Sequence, residues 1–81
     1  MTYSVIYEKI NDPSFPAGYY YAHVPALDLT THGLGIEGAK EAARDLVKLR
    51  IEEKVASRET IPVESDILYS RIEIEDAVLG A

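Results

Sequence analysis

Between Thr2 and Val55 the spacing of apolar residues changes period once, and that change limits the folds open to this chain. Up to His32 the segments outside the Asn11–Gly18 turn read as strands, with side chains sorted to two faces at every second position. From Ile36 apolar residues recur every three to four positions. Period two belongs to strands and period 3.6 to helices. The break falls at Gly33-Leu34-Gly35, where glycine interrupts an extended pattern. Strands therefore come first and a single long helix follows, so one helix must cover one face of a sheet.

The first strand is expected over Thr2 to Ile10. Tyr3, Val5 and Tyr7 point one way; Ser4, Ile6 and Glu8 point the other. Asn11 to Gly18 holds Asn, Asp, Ser, two prolines and a glycine, which is turn chemistry. Tyr19 to Val24 forms a second strand, ended by Pro25. Tyr20, Ala22 and Val24 share one face; Tyr19, Tyr21 and His23 share the other. Leu27 to His32 makes a weaker third strand, with Leu27, Leu29 and Thr31 on one side.

The helix is expected from Ile36 to about Val55. Ile36, Ala39, Ala43, Leu46 and Val47 form its apolar stripe; Glu37, Glu41, Arg44, Asp45, Lys48 and Glu52 lie opposite. Arg50 falls in the stripe and Lys54 one turn later, where long stems cover the core while the charges reach water. Gly38 costs up to about 1 kcal/mol against Ala and is expected to allow a close approach to the sheet. Arg58 to Ser65, with Pro62, reads as a loop. Ile67 to Glu75 alternates again, Leu68, Ser70, Ile72 and Ile74 against Ile67, Tyr69, Arg71, Glu73 and Glu75. It predicts a fourth strand beside the first; Ala77 to Ala81 is expected to fray. The expected fold class is α+β, in the order β-β-β-α-β: an antiparallel meander with one helix on one sheet face, a single domain over residues 1–81.

Size and charge narrow the functions. A chain of 81 residues and 9.0 kDa buries only roughly 60% of its unfolded surface, enough for one core. It has no cysteine, which excludes disulfide frameworks, Cys zinc sites and a Cys nucleophile. Fourteen acidic side chains against eight basic ones give a net charge of −6. Direct nucleic-acid binding is not expected, since phosphates need clustered Lys and Arg; a basic protein partner fits better. No apolar run is long enough for a membrane span, and no secretory leader is visible at Met1 to Glu8. A cytoplasmic protein with no membrane partner is expected.

With one helix, the second sheet face is uncovered. It is expected to carry Tyr19, Tyr21 and His23 from the second strand and Tyr69 and Arg71 from the fourth. Tyr and Arg are enriched at interfaces, so these five residues are the candidate partner-binding set. A homo-oligomer, a dimer or an assembly of dimers, is expected to use such a face. Catalytic, cofactor and metal sites are not expected. Glu8, Asp28 and Asp45 are too scattered for a metal nuclease, whose first strand needs a central carboxylate. His23 and His32 with Asp28 would make a poor zinc set, and His32 has Thr30 as a conceivable nucleophile. Gly33-Leu-Gly35-Ile-Glu-Gly38 has the G-x-G-x-x-G spacing, but one helix and one later strand cannot build the doubly wound sheet that gives the motif meaning. It reads as a strand-to-helix turn.

Several residues in order also resemble a known family. Tyr3-Ser-Val5-Ile-Tyr-Glu8 is followed by Gly18-Tyr-Tyr-Tyr-Ala-His-Val-Pro25-Ala-Leu27, then Gly33-Leu-Gly-Ile36-Glu37-Gly38-Ala39, then Ile61-Pro62 after the helix. This succession, over about residues 3 to 75, resembles HicB-type antitoxins. The resemblance implies a HicB-like domain with a partial ribonuclease H-like fold. It implies no enzymatic activity and a role in binding and blocking a small basic HicA-type mRNA-cleaving toxin. The chain departs from the family pattern in three places. Ala26-Leu-Asp28-Leu-Thr stands where many members carry Asp-Leu-Pro-Gly-Cys. Gly35 replaces the usual Thr or Ser helix cap. The sequence ends at Ala81, before the usual DNA-binding segment, so a stand-alone version without operator binding is expected. The alternative is an orphan HicB-like domain, a structural or regulatory homo-oligomer with no toxin partner.

Overall fold

The computed structural model describes residues 1–76. Three strands, β1 (Ile6–Lys9), β2 (Tyr19–Val24) and β3 (Leu29–Leu34), form an antiparallel meander in the order β1-β2-β3. One helix, α1 (Gly35–Ala56), follows. Tyr7 lies opposite Ala22 and Ala22 opposite Thr31; Glu8 lies opposite Tyr21 and Tyr21 opposite His32. This register sorts the side chains onto two faces, since directly opposed residues in an antiparallel pair project to the same side.

The core fills the helix side. Ala22, Val24, Leu27, Leu29, Ala39 and Ala43 are buried, with Tyr3, Val5, Tyr7, Tyr20, Leu46 and Val47 packed around them. The helix sits close because β3 and α1 touch through glycine. A Cβ on Gly33 would lie 2.4 Å from the carbonyl carbon and oxygen of Gly38. Gly35 turns the chain into the helix at φ +68, and its N–H donates to the Gly18 carbonyl at 2.8 Å. The G-x-G-x-x-G spacing thus serves helix-on-strand packing.

The boundaries differ in detail from the sequence reading. Pro25–Leu27 is one 3-10 turn, closed by the Asp28 N–H on the Pro25 carbonyl at 3.1 Å, so β3 starts at Leu29. Ile36, expected in the apolar stripe, is 42% exposed because it falls in the first turn of α1. The helix ends by the bond pattern usually built on glycine. Arg58 N–H donates to Val55 O at 3.1 Å and Glu59 N–H to Lys54 O at 2.8 Å, and Arg58 takes φ 58.

The fourth strand is a correction: no strand follows α1 among the described residues. The chain after the helix is tied to the N-terminal segment by side chains. The Tyr3 hydroxyl donates to the Pro62 carbonyl at 2.5 Å, and the Glu64 carboxylate accepts from the Ser4 N–H and, at 2.9 Å, from the Ser4 hydroxyl. Ile67 is still half-buried, and from Leu68 to Asp76 every residue is exposed. Leu68 is 89% exposed and Ile72 84%, so neither packs against the helix stripe. Alternation supplies a strand's two faces, but a strand also needs an edge to bond, and residues 67–75 meet none. The Cα radius of gyration is 16.1 Å, against about 12 Å for a chain this long folded compactly. Among the described residues no helix is long and apolar enough to cross a membrane. Ala77 to Ala81, expected to fray, lie outside the described residues.

Candidate partner-binding face

The side of the sheet away from α1 carries Ile6 and Glu8 from β1, Tyr19, Tyr21 and His23 from β2, and Thr30, His32 and Leu34 from β3. The β1–β2 loop adds Phe15. Its position follows from turn chemistry: Asp12-Pro13-Ser14-Phe15 closes with the Phe15 N–H on the Asp12 carbonyl at 3.0 Å. The Asp12 carboxylate accepts from the Ser14 N–H at 2.8 Å and from its hydroxyl at 2.7 Å. These two bonds, the backbone one first, hold the Asp12 carboxyl below its ordinary range.

Phe15 then lies over the sheet. Its ring stands edge-on to His32 with centroids 5.1 Å apart and to Tyr21 at 6.0 Å, and tilted to Tyr19 at 6.1 Å. Tyr21 in turn meets His23 at 5.9 Å. Five rings therefore form one connected patch. Edge-on and tilted arrangements suit the ring quadrupoles, so the patch is held in shape without a covering helix.

His23 is fixed from both sides. Its Nε2 lies 3.1 Å from the Glu8 carboxylate and its Nδ1 3.0 Å from the Thr30 hydroxyl. A carboxylate only accepts, so Nε2 carries the proton, and in the neutral ring Nδ1 accepts from Thr30. Glu8, His23 and Thr30 come from β1, β2 and β3 in turn, so the chain of bonds crosses the whole sheet. Such a relay has the order of groups that activates a hydroxyl nucleophile. Here the Glu8 side chain is 66% exposed, and water screens the charge a reacting centre would need. Its structural effect is to set the angle of the imidazole at the edge of the patch. Asp28 and Asp45 are exposed, and among the described residues no three His, Asp or Glu side chains are grouped to hold a metal ion.

Of the five residues expected at the partner site, the fold brings Tyr19, Tyr21 and His23 together. It leaves Tyr69, 76% exposed, and Arg71 on the extended segment after α1. The premise that placed them on the open face was the fourth strand. Sequence reasoning missed Phe15, His32, Glu8 and Thr30 as members of the face. Phe15 carried a signal, since it is the only Phe and stands alone in a polar turn between two prolines. The cross-strand partners carried only their parity within a strand, because which residues they oppose depends on register. No protein-family model, curated protein or solved structure matches this chain.

Proposed function

We propose that this chain is a protein-binding module of antitoxin type, which sequesters a small basic partner on its helix-free sheet face. The observation that supports the reading best is the ring patch of Phe15, Tyr19, Tyr21, His23 and His32, on a chain of net charge −6. Tyr and Phe faces attract Arg and Lys, and acids such as Glu8 and Asp12 beside the patch add attraction to a basic surface. The resemblance to HicB-type antitoxins gives the partner's class: a HicA-type mRNA-cleaving toxin, whose RNA-gripping surface is basic. In this reading the chain works in the cytoplasm, catalyses nothing and binds neither operator DNA nor a cofactor.

The test is co-expression with whatever small basic protein an adjacent reading frame encodes, with pull-down and growth rescue. Capture and rescue are expected, and Tyr21→Ala should weaken binding by more than about 1 kcal/mol. A neighbour that is toxic alone, yet is neither bound nor neutralised, overturns the proposal. The second reading, an orphan HicB-like homo-oligomer, draws on a different part of the molecule, the exposed apolar residues after α1.

A further inference from the structure

Residues 65–76 have the pattern of a strand and lack only an edge. Their even positions read Asp66-Leu68-Ser70-Ile72-Ile74-Asp76, an apolar row with an acid at each end. Leu68, Ile72 and Ile74 are 89%, 84% and 51% exposed. At about 3.3 Å per residue the segment reaches roughly 40 Å from its anchor at Glu64, well beyond one sheet.

The same chain holds an unused edge. β1 lies at one end of the sheet, so among the described residues no strand pairs with its outer side. Next to the start of β1, between residues 1–5 and α1, lies a groove of about 580 Å³. Tyr3, Val5, Val47 and Ile51 line it. Lys40, Arg44 and Lys48 stand along its helical rim, with Glu52 near the end, and among the described residues none after α1 enters it. The three cations recur every four residues on one helix face, and none is in an ion pair among the described residues.

We infer that residues 67–75 are an exchange strand, which pairs with the free β1 edge of a second copy and lays Leu68, Ile72 and Ile74 into that copy's groove. The apolar row matches the apolar floor, and Asp66, at the end of the row nearer the Glu64 anchor, meets the Lys40, Arg44 and Lys48 rim, which spans about 12 Å. The exchange is reciprocal, so a two-fold dimer closes and leaves neither tail exposed. The odd positions then face the other way. Tyr69 and Arg71 of one copy join the side of the sheet that carries Tyr21 and His23 of the other, which would enlarge the partner-binding face.

Light scattering of the full chain at micromolar concentration should return twice 9.0 kDa. Leu68→Asp with Ile72→Asp should halve that mass and lose only the strand signal of the exchanged segment, leaving the helix signal and the cooperative unfolding of the body unchanged, since both side chains are exposed in one chain. The chain has no cysteine, so Val5→Cys and Ile72→Cys can be made singly, mixed and oxidised. A mixed disulfide dimer, favoured over either like pair, is the expected product. Four results would overturn the inference. The native chain could run at 9.0 kDa. The doubly substituted Cys chain could close internally at that mass, which would put each tail in its own groove. The dimer could survive the two Asp substitutions, which would move self-association to the ring patch. The tail could gain protection only when a small basic protein is added. Tyr21→Ala tests the partner reading separately, so failure of one leaves the other readable.

Discussion

Tyr19–Val24 and Ile67–Glu75 carry the same kind of pattern and meet different fates. Both alternate apolar with polar or aromatic residues, and both contain β-branched side chains or Tyr. Tyr19–Val24 became β2, bonded on both sides, with Ala22 fully buried and Val24 1% exposed. Ile67–Glu75 is bonded on neither side, with Leu68 and Ile72 in water. The difference is distance along the chain to a partner. β2 has β1 one turn before it and β3 one 3-10 turn after it, so both edges close over short loops at small entropic cost. Residues 67–75 must return past a 22-residue helix, and their approach is already set by Tyr3 and Ser4, which hold Pro62 and Glu64.

The sharpest contrast is between two leucines. Leu29, 8% exposed at the start of β3, should cost about 2–5 kcal/mol when changed to Ala, read as a lower urea midpoint at unchanged slope. Next comes the contact that lets helix and sheet approach. Gly33→Ala places a methyl 2.4 Å from Gly38 backbone atoms. Backbone on both sides cannot yield as a side chain would, so about 1–3 kcal/mol of overpacking is expected, seen as a lower thermal midpoint. Arg58 stands where the two regions meet, at φ 58. Arg58→Gly removes the Cβ strain of that conformation and should stabilise the chain by up to about 1 kcal/mol. The smallest effect belongs to the second leucine. In dilute solution Leu68→Ala should change stability by no more than about 0.5 kcal/mol. A loss as large as that of Leu29→Ala would erase the contrast and make residues 67–75 part of the core of one chain.

Much of the candidate face was legible for the same reason as β2. Tyr19, Tyr21 and His23 are two apart, so any strand through them presents all three together. His32 and Glu8 were readable as strand residues of that side but not as neighbours of Tyr21, since a one-residue slip would have turned them to the core. Phe15 joined the patch through a turn whose bonds run from Asp12, and nothing in the spacing of the strands foretold where that turn would fold. Tyr69 and Arg71 were assigned to the face by parity alone, and parity says nothing about whether a strand pairs.

What the sequence determined by itself is everything that depends on neighbours a few residues apart. That includes the three strand periods, the switch to helix at Gly33–Gly35, the inward stripe of Ala39, Ala43, Leu46 and Val47, and the acidic balance. Backbone sterics and side-chain alternation act at that range, so the letters suffice. The tertiary structure decided what depends on two distant segments meeting. It set the register that threads Glu8, His23 and Thr30 across three strands. It brought Gly33 against Gly38 so that α1 could settle, and it left β1 with an open edge beside a groove rimmed by Lys40, Arg44 and Lys48. A ladder bond or a ring contact belongs to a pair of segments, and its formation turns on loop length and on which edge is already occupied. Neither is written in the period of either segment alone.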